Sequence, residues 1–361
     1  MSQINHRRVL LLSAYDAASH RYWHQQLRLQ FPNWNWTLLS LKDRYFAWRM
    51  GGNALSFKAA YDRQLSEAYD LVVATSMTDL TSLRSWYPHL SQVPNLLYFH
   101  ENQFAYPVNH RQQGLLEMQL RSVLSACSAD RLAFNSHYNR DTFLAGLRQM
   151  LNSMPDGTPD DLPEQLAARS VVLPVPLTED CQPLTNKNQK NELHIIWNHR
   201  WEHDKGPEVL LALLQHCQQH PKASTFRFHL LGQSFKKVPH AMQQILDQHA
   251  AQLEQTGRLT DRSDYLATLQ QADVGISTAY HDFQGLALQE AVACGCVPLA
   301  PDRLVYPEWY PEDCRYPSCP DNPQEEARHM FHKLLELPTQ SIDLSALKWR
   351  ALHQDYLQWL S

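Results

Sequence analysis

The sequence has no apolar run long enough to cross a membrane and no excess of positive charge. No stretch approaches the roughly 18 apolar residues of a spanning helix, and the start, MSQINHRRVLLLSAY, predicts a strand rather than a signal peptide. Asp and Glu (37) outnumber Lys and Arg (32), so the chain as a whole offers no long-range field for a polyanion. We therefore expect a soluble, cytoplasmic protein without a membrane partner, which can contact nucleic acid only through a local patch.

The cysteines lack the number and spacing of a disulfide framework or a zinc site. Seven is an odd number, and without a secretory signal it fits free thiols in a reducing compartment. Cys294 and Cys296, then Cys314 and Cys319, form C-x-C and C-x4-C rather than the two-residue spacing usual for zinc ligands. Packed thiols are favoured, and no acidic metal cluster follows the predicted strands. We expect neither a metal nor a cofactor.

Short apolar runs alternate with segments of helical length. Strands are predicted at 8–15, 36–41, 70–76, 95–100, 131–136, 171–176, 193–198, 226–232, 272–278 and 295–301. Strands that are apolar throughout are buried on both faces, which indicates parallel sheets covered by crossover helices. A polar stretch at 178–192 interrupts the pattern. The sequence thus predicts an α/β protein of two doubly wound, Rossmann-like domains, 1–178 and 190–340, and a C-terminal helix within 341–361 that packs back towards the first domain.

Two cations follow a strand of the second predicted domain. Arg200 and Lys205 come directly after the apolar run LHIIWN, and ligands of open α/β sheets bind at the carboxyl ends of strands. A planar guanidinium and a point charge suit the oxygens of a diphosphate. Alone, an R-x4-K spacing is weak, because exposed pairs of cations are common.

The segment AYHDFQGLALQEAVACGCVPLAP (279–301) strengthens that interpretation. Asp282 precedes a turn, Gly285 allows close backbone approach, and a helix beginning there points its free amides at an anion. Glu290 lies about 7–8 Å further along the helix, within reach of the ribose of a nucleotide. By itself Glu290 is best interpreted as part of a solvated helix face. Joined to the two cations, it predicts a nucleotide site.

Polar residues also follow strands of the first predicted domain. The segment HENQFAYP (100–107) comes directly after the apolar run NLLYF, and buried polar groups of this kind need partners, so a site is favoured over a structural network. Ser19 and His20 lie at the predicted start of a helix, a natural place for phosphate or a sugar hydroxyl. Asn135 and Ser136 repeat the pattern in FNSHYNRDTF. For these last two pairs a helix cap, with a surface histidine in the first, explains the residues equally well.

A basic and aromatic stretch spans residues 42–63. It carries the cations Lys42, Arg44, Arg49, Lys58 and Arg63 and the aromatic residues Tyr45, Phe46 and Trp48. Aromatic rings beside cations suit the unpaired bases of RNA. An amphipathic element packed on the first domain is an equally good interpretation.

Four longer motifs resemble those of one family. They are YFHENQFAYP (98–107), FNSHYNRDTF (134–143), WNHRWEHDKGPE (197–208) and GCVPLAPDRLVYPE (295–308). They are similar to blocks of the tRNA-queuosine mannosyltransferases, also called glycosyltransferase-like domain-containing protein 1. Arg200 with Lys205, and Asp282 with Glu290, resemble the R-x4-K and E-x7-E motifs of retaining glycosyltransferases of family 4. The resemblance spans about residues 8–308 and implies the GT-B architecture, two Rossmann-like domains that face each other across a cleft.

The resemblance implies a reaction and its donor site. Mannose would pass from GDP-mannose, with retention, to the cyclopentenediol of queuosine in a tRNA anticodon. The implied donor-binding residues are Arg200, Lys205, Asp282, Phe283, Gly285, Leu286 and Glu290. The two cations would neutralise the diphosphate without a metal, Glu290 would hold the ribose, and Asp282 would contact the mannose hydroxyls.

On the acceptor side the resemblance implies roles for residues of the first domain. His100 would contact the sugar or assist the acceptor hydroxyl, with Glu101 beside it. The implied acceptor-side residues are Ser19, His20, Asn102, Asn135 and Ser136, and RNA contacts are expected from Arg44, Arg49 and Lys58.

Two positions depart from the family pattern, and two other functions stay open. Ala17 and Ala18 stand where a glycine pair is frequent, and Asp282 is one methylene shorter than the usual glutamate. One alternative is a GT-B transferase that builds a glycan or glycolipid, which a basic and apolar face near the first domain's cleft would mark. The other is a GT-B-shaped RNA-binding protein without catalysis, an alternative that the change at Asp282 keeps open.

Overall fold

The structure, a computed structural model, describes residues 6–106, 115–185, 187, 191–338 and 342–361. The chain divides into two compact units, which are Met1–Val175 with Leu352–Ser361, and Pro176–Ala351. The predicted domain bounds at 190, 340 and 341 lie outside the described residues. Within the described helices, none is both long and apolar enough to cross a membrane.

The first unit is built on a six-stranded parallel sheet with strand order β2-β1-β3-β4-β5-β6. Its strands are β1 (Arg8–Ser13), β2 (Asn35–Ser40), β3 (Leu71–Thr75), β4 (Asn95–Phe99), β5 (Arg131–Phe134) and β6 (Ser170–Val172). Its helices are α1 (Ala18–Gln30), α2 (Phe46–Leu65), α3 (Leu80–Trp86), α4 (Leu115–Ser128), α5 (His137–Asn152) and α6 (Leu162–Ala168), with a 3₁₀ turn at Pro88–Gln92. Because the strands are parallel, their carboxyl ends meet at one edge of the sheet.

The second unit repeats this plan with strand order β12-β11-β10-β7-β8-β9. Its strands are β7 (Leu193–Asn198), β8 (Phe226–Leu231), β9 (Leu253–Gly257), β10 (Val274–Ile276), β11 (Val297–Pro301) and β12 (Arg315–Tyr316). Its helices are α7 (Pro207–Gln219), α8 (His240–Gln248), α9 (Arg262–Gln271), α10 (Leu286–Ala293), α11 (Tyr306–Trp309) and α12 (Pro323–Leu335). The 3₁₀ turns are His203–Lys205, Ala223–Thr225, Ala250–Gln252, Glu312–Cys314 and Ser345–Leu347. The predicted α/β class with two parallel sheets is confirmed.

The central strands of both sheets are apolar throughout, as expected of strands covered on both faces. In β1, the four residues from Val9 to Leu12 are fully buried. The rings of Phe99 and Phe134 stack between neighbouring strands, with centroids 4.4 Å apart. Burying one such side chain contributes about 1.5–3 kcal/mol, so these strands give the strand-end loops a rigid base.

The strand order of each sheet reverses at one point. In the second unit the chain runs outward through β8 and β9 and then returns to place β10 on the other side of β7. The loops after β7 and β10 therefore diverge at this switch point, where open α/β sheets bind their ligands. In the first unit the corresponding point lies between β1 and β3.

The last helix, α13 (Trp349–Leu360), spans the division between the units. Its later residues belong to the first unit, where the Tyr356 hydroxyl accepts a hydrogen bond from Trp23 Nε1 at 3.0 Å. The polar stretch predicted as the boundary lies in the second unit. Its beginning is held there because Leu177, the residue before the stretch, donates its amide to the Leu347 carbonyl at 2.8 Å, and Cys181 is buried in a cluster with Cys296.

Candidate active site

The loop after β7 carries both cations predicted to bind a diphosphate. The Arg200 side chain is half-exposed, with its guanidinium beside the carboxylates of Glu202 and Asp204. Lys205 is buried, and its ammonium donates to the backbone carbonyl of His281 in the loop after β10. Lys205 therefore joins the two loops at the switch point, whereas the Arg200 guanidinium is accessible.

The loops after β7 and β10 are held together by close contact between their backbones. Gly206 has a φ of 62°, and a Cβ at this position would lie 2.1 Å from the Thr278 carbonyl oxygen, so only glycine fits. The Thr278 hydroxyl donates to the Lys205 carbonyl at 2.6 Å and accepts from Trp197 Nε1 at 2.9 Å. The backbone of Lys205 is thereby fixed against the loop that leads to Asp282.

Asp282 is held by hydrogen bonds at both carboxylate oxygens. One oxygen accepts from the Gly285 amide and the other from the Tyr306 hydroxyl, each at 3.1 Å. Burial raises the pKa of Asp282, but the charge of Lys205, two histidines and the Tyr306 bond lower that pKa by more. Asp282 is therefore ionised at neutral pH, and its position is set by the turn it precedes.

A neutral histidine lies behind this cluster. Burial, followed by the charge of Lys205, lowers the pKa of His199 to about 4. Its ring packs edge-on against Trp197, and among the described residues its buried Nε2 has no hydrogen-bond partner. Gly232 permits this placement, since a Cβ there would lie 1.8 Å from the His199 carbonyl oxygen. His199 offers hydrogen-bonding capacity without adding charge.

Glu290 is nearly buried in α10, and its carboxylate is held by two residues that were not predicted from the sequence. Arg262 Nη1 donates to one oxygen and the Tyr265 hydroxyl to the other, each at 2.7 Å. The Tyr265 hydroxyl in turn accepts from Asn198 Nδ2 at 2.6 Å. Because Asn198 ends β7, this chain of bonds connects Glu290 to the strand end that carries Arg200. Each carboxylate oxygen retains a second lone pair for a ligand.

The turn into α10 depends on Gly285. Its φ is 73°, and the ring of Tyr306 lies 3.1 Å from where a Cβ would be. Gly285 gives α10 no side-chain cap, so the first amides of the helix keep the partial positive charge that favours an anion. Leu286 begins the helix and is partly exposed, whereas Phe283 is buried against the ring of His281. Phe283 could therefore act on a donor only through packing.

A buried ion pair supports the same loop from behind. Arg303 donates to both oxygens of the fully buried Glu326, at 2.7 and 2.8 Å. Its Nε donates to the Ala279 carbonyl at 3.0 Å, and its guanidinium lies 4.9 Å from the ring centroid of Tyr280. The pair thus fixes the backbone just before Asp282.

In the first unit, the end of β4 carries a buried histidine among other rings. The His100 ring stacks on His20, with centroids 4.1 Å apart, and meets Trp23 edge-on. Burial places the pKa of His100 well below its ordinary value, and His20 and His24 lower that pKa further. Its Nε2 is buried and without a partner in the part of the chain that the structure describes. A neutral imidazole with an unused nitrogen can bind one hydroxyl group.

Carboxylates join the loops after β1 and β4 around this histidine. Glu101 lies 3.4 Å from His20 Nε2, and Asp16 lies 2.9 Å from His24 Nε2 and 3.1 Å from Arg21 Nε. Burial raises the pKa of Asp16, but the bonds from His24 and Arg21 lower that pKa by more. The alternative of a surface histidine at position 20 is wrong, because His20 is buried.

The amides predicted on the acceptor side hold the His100 loop in place. Asn102 Nδ2 donates to Asn139 Oδ1 at 2.9 Å, and Asn102 Oδ1 accepts from the amides two and three residues further on. Asn135 Nδ2 donates to the His100 carbonyl at 2.9 Å, and Ser136 caps α5 by accepting from the Asn139 amide. Direct contacts of these residues with an acceptor stay a prediction, and they would have to replace or share these bonds.

The first turn of α1 carries Ser19, another residue predicted on the acceptor side. Its side chain is exposed. Ala17, which stands where a glycine is frequent, has a φ of −63° and an extended ψ of 166° that any residue adopts. The loop therefore does not require glycine at this position.

Of the three cations predicted to contact RNA, the structure leaves one exposed and without an ion pair among the described residues. Arg49 is buried and donates to the Lys42 carbonyl and to the Ser56 hydroxyl, which argues against an RNA contact. Lys58 is exposed but lies 3.1 Å from the Asp62 carboxylate. Arg44 is exposed, with its guanidinium near the ring of Tyr45.

The described residues contain no group of three or more His, Cys, Asp or Glu side chains that could hold a metal ion. All seven cysteines are described and are free thiols. A reaction without metal or cofactor stays a prediction.

Three side chains that hydrogen-bond to Asp282 or Glu290 were not predicted from the sequence: Tyr306, Arg262 and Tyr265. Tyr306 could have been proposed from the sequence, because it lies in the block GCVPLAPDRLVYPE. Arg262 and Tyr265 belong to α9, whose start is marked by the cap Asp261, which accepts from the Ser263 and Asp264 amides. A cap predicts a helix start but not which carboxylate the helix will meet, so no local signal pointed to Glu290.

Comparison with known proteins gives one family. A family model described as tRNA-queuosine alpha-mannosyltransferase N-terminal matches residues 8–177. The chain is 33% identical over 317 residues to a tRNA-queuosine alpha-mannosyltransferase of Drosophila melanogaster, covering 85% of this chain and 83% of that protein.

Comparison with solved structures gives the same fold. A sucrose-phosphate synthase from Thermosynechococcus elongatus superposes with a TM-score of 0.65 at 15% identity, over 98% of each chain. An alpha,alpha-trehalose-phosphate synthase (UDP-forming) from Burkholderia xenovorans gives a TM-score of 0.61 at 13% identity, over 98% of this chain and 96% of the other. At such identities the likeness shows the fold alone, and the predicted GT-B class is confirmed.

Proposed function

The chain belongs to the tRNA-queuosine alpha-mannosyltransferase family, and on that premise we propose that it transfers mannose from GDP-mannose to the cyclopentenediol of queuosine in a tRNA anticodon. Family membership makes the chain a glycosyltransferase. The observation that carries the proposal is the cluster at the β7 and β10 ends, where Lys205 lies against the loop of Asp282 and Glu290 is hydrogen-bonded through Tyr265 to Asn198.

The cations of the second unit suit the diphosphate of the donor. Negative charge builds on the leaving diphosphate as the glycosidic bond breaks, and fixed positive charge stabilises that state most. Lys205 is fixed through His281, whereas the accessible Arg200 would exchange its contacts with Glu202 and Asp204 for phosphate oxygens. In this proposal the two cations supply the charge that a metal ion supplies in other transferases.

The carboxylates of the second unit suit the sugars of the donor. Glu290 has lone pairs left for the ribose hydroxyls, while Arg262 and Tyr265 fix its direction. The ionised Asp282 and the backbone near Gly285 would accept and donate hydrogen bonds to mannose. Asp282 is already bonded to the turn, so its shorter side chain is placed by the backbone rather than by reach.

The first unit supplies a neutral imidazole for the sugar or the acceptor hydroxyl. An oxocarbenium-like transition state gains little from an added positive charge near the sugar. The lowered pKa keeps His100 uncharged at neutral pH, and its buried Nε2 is available for one hydrogen bond among the described residues. We assign His100 that bond and Glu101 the adjoining edge, with retention of configuration at the mannose.

Transfer of labelled mannose tests the proposal. The protein is incubated with labelled GDP-mannose and tRNA from cells that make queuosine, and in parallel with tRNA from cells that lack it. We expect label only in the queuosine-bearing tRNA, as an alpha-linked mannoside. UDP-glucose and UDP-mannose in the same assay serve as donor controls.

Three results would contradict the proposal. Equal labelling of both tRNA pools would remove queuosine as the acceptor. Label in lipid or glycan, with none in tRNA, would favour a glycan or glycolipid transferase. Binding of tRNA without transfer from any nucleotide sugar would favour an RNA-binding protein that has lost catalysis.

A further inference from the structure

A tryptophan lies flat and exposed on the surface of α2. Trp48 is 52% exposed, and its indole Nε1 donates to the Ser56 hydroxyl at 3.1 Å. A Cβ on Gly52 would lie 2.8 Å from each of three carbons of the six-membered ring. Equal distances to three ring atoms place that Cβ position over the plane of the ring. One face of Trp48 therefore rests on Gly52, which leaves the opposite face to solvent.

The support of this ring is specific. Ser56 Oγ also accepts from the Arg49 guanidinium at 3.2 Å, and Arg49 is itself anchored on the Lys42 carbonyl. The buried Arg49 thus positions Ser56, which positions the indole of Trp48. A side chain that lay on the surface by chance would have neither a glycine beneath its ring nor a fixed partner for its nitrogen.

The surroundings of Trp48 suit an anionic, planar ligand. Tyr45 is 70% exposed, and the Arg44 guanidinium lies 5.3 Å from the centroid of its ring. Lys42 and Arg44 are both exposed and lie close to Tyr45 and Trp48 in the sequence. Phe46 does not share this role, because it packs against the core of the first unit. A flat ring face next to cations matches a nucleobase and its phosphate.

We propose that the exposed face of Trp48 is a stacking platform for an unpaired base of the RNA acceptor, with Gly52 and Ser56 as its supports and Arg44 as the adjoining cation. The inference rests on the proposed function, in which the acceptor is a tRNA anticodon. It replaces Arg49 and Lys58 with Trp48 and Arg44 as the residues of this stretch that meet RNA. Stacking tolerates any base, so the platform adds affinity rather than sequence choice.

Binding of queuosine-bearing tRNA, measured by fluorescence anisotropy of end-labelled tRNA at several salt concentrations, tests the platform. We expect Trp48→Ala to weaken binding by roughly 5- to 150-fold, the range for loss of one base stack, and Trp48→Phe to retain most of the affinity. The slope of log Kd against log salt should stay unchanged in Trp48→Ala, because no phosphate contact is lost, whereas Arg44→Ala should reduce it by about one contact.

Two further variants separate stacking from other contacts. Trp86→Ala removes a tryptophan that is 41% exposed at the end of α3, and Leu55→Ala removes an exposed apolar side chain from α2 itself. Both should bind tRNA like the wild type. Gly52→Ala should weaken binding, because the added methyl displaces the ring of Trp48. Unfolding midpoints verify that each variant is folded.

The outcomes also separate the platform from the proposed function. If the wild type transfers mannose to queuosine-bearing tRNA and Trp48→Ala binds that tRNA with unchanged Kd, the platform is refuted and the function stands. If Leu55→Ala loses as much affinity as Trp48→Ala, the surface is an apolar contact rather than a base stack. If the wild type neither binds tRNA nor transfers mannose to it, the proposed function itself has failed.

Discussion

The two units differ in the groups at the centre of their strand-end clusters. In the second unit carboxylates and cations held in pairs predominate, as with Arg303 and Glu326 or Arg262 and Glu290. In the first unit the central group is His100, a buried imidazole whose low pKa keeps it neutral. In the proposed function, the same sheet topology thus serves electrostatic binding in one unit and hydrogen bonding by a desolvated ring in the other.

The two environments differ in what their supports must do. A buried charge is costly unless a partner and hydrogen bonds satisfy it, so the buried charges of the second unit are held in ion pairs. A buried neutral ring needs only packing and an ordered loop. In the first unit Asn102 and Asn135 order that loop, and Trp23 and His20 pack the ring. Removing one support should therefore cost more in the second unit.

The largest expected effect is the loss of the ion pair behind the second unit's site. Glu326→Ala leaves Arg303 buried without its bidentate partner, and breaking a buried pair costs about 3–5 kcal/mol. We expect that loss in the free energy of unfolding, measured by urea denaturation, together with a lower rate of mannose transfer. The lower rate follows because Arg303 also holds the Ala279 carbonyl ahead of Asp282.

The neighbouring carboxylate gives a matched control. Glu325 lies in the same helix, is half-exposed and pairs with Arg328 and His329, so Glu325→Ala should leave the free energy of unfolding nearly unchanged. If both substitutions lowered the free energy of unfolding equally, burial of the Arg303–Glu326 pair would not matter. The proposed difference between the two units would then be wrong.

The second largest expected effect concerns Lys205, the buried cation of the proposed donor site. Lys205→Met keeps the length of the side chain but removes the charge assigned to the diphosphate. We expect kcat for mannose transfer to fall by about 10²–10³-fold, as when one fixed electrostatic contact to a transition state is removed. Steady-state kinetics with varied GDP-mannose measure the effect, and an unfolding curve establishes that the variant is folded.

The control for this substitution is Lys236→Met, which removes an exposed lysine of the same unit. Its kcat should equal that of the wild type. A folded Lys205→Met enzyme with wild-type kcat would show that the buried ammonium only holds the His281 loop, and the electrostatic description of the second unit would then have to rest on Arg200.

The strands that could be predicted from the sequence and the two that could not differ in their apolar content. Each predicted strand overlaps an observed one, because central parallel strands are apolar throughout. The two missed strands, β9 and β12, are the edges of the second sheet. In β9 the residues LEQTG are half-buried or exposed, and β12 has only two residues. These two strands leave no apolar run to detect, whereas the edge strands of the first sheet, β2 and β6, were predicted from the apolar runs WTLLSL and VVLPVP.

The site residues divide for a related reason. Arg200, Lys205, Asp282 and Glu290 could be proposed from the sequence because strand ends and helix starts are local features of the sequence. The partners Arg262 and Tyr265 come from α9, and their contact with Glu290 exists only once the helices pack. The burial of Arg49 likewise follows from packing of α2, which the alternative of an amphipathic element had anticipated.

The smallest expected effect is a pH dependence of the free energy of unfolding. One buried histidine of each unit contributes to it. Burial and the nearby Lys205 lower the pKa of His199 to about 4, from the ordinary value of about 6.5. The unfolded chain therefore binds more protons than the folded one between these pH values, so stability falls as pH falls. His199 should contribute a loss of up to ~3 kcal/mol, and His100 in the first unit adds a loss of the same sign.

Urea denaturation between pH 7 and about pH 5 measures the first part of this loss. That window lies above the ordinary pKa values of aspartate and glutamate, about 3.9 and 4.3, so the carboxylates with lowered pKa values contribute little within it. His199→Asn should flatten the pH dependence, whereas His203→Asn should leave it unchanged, because the His203 side chain is 73% exposed. If His199→Asn kept the full slope, the protons would be taken up elsewhere, and the pKa of His199 would not be lowered on folding.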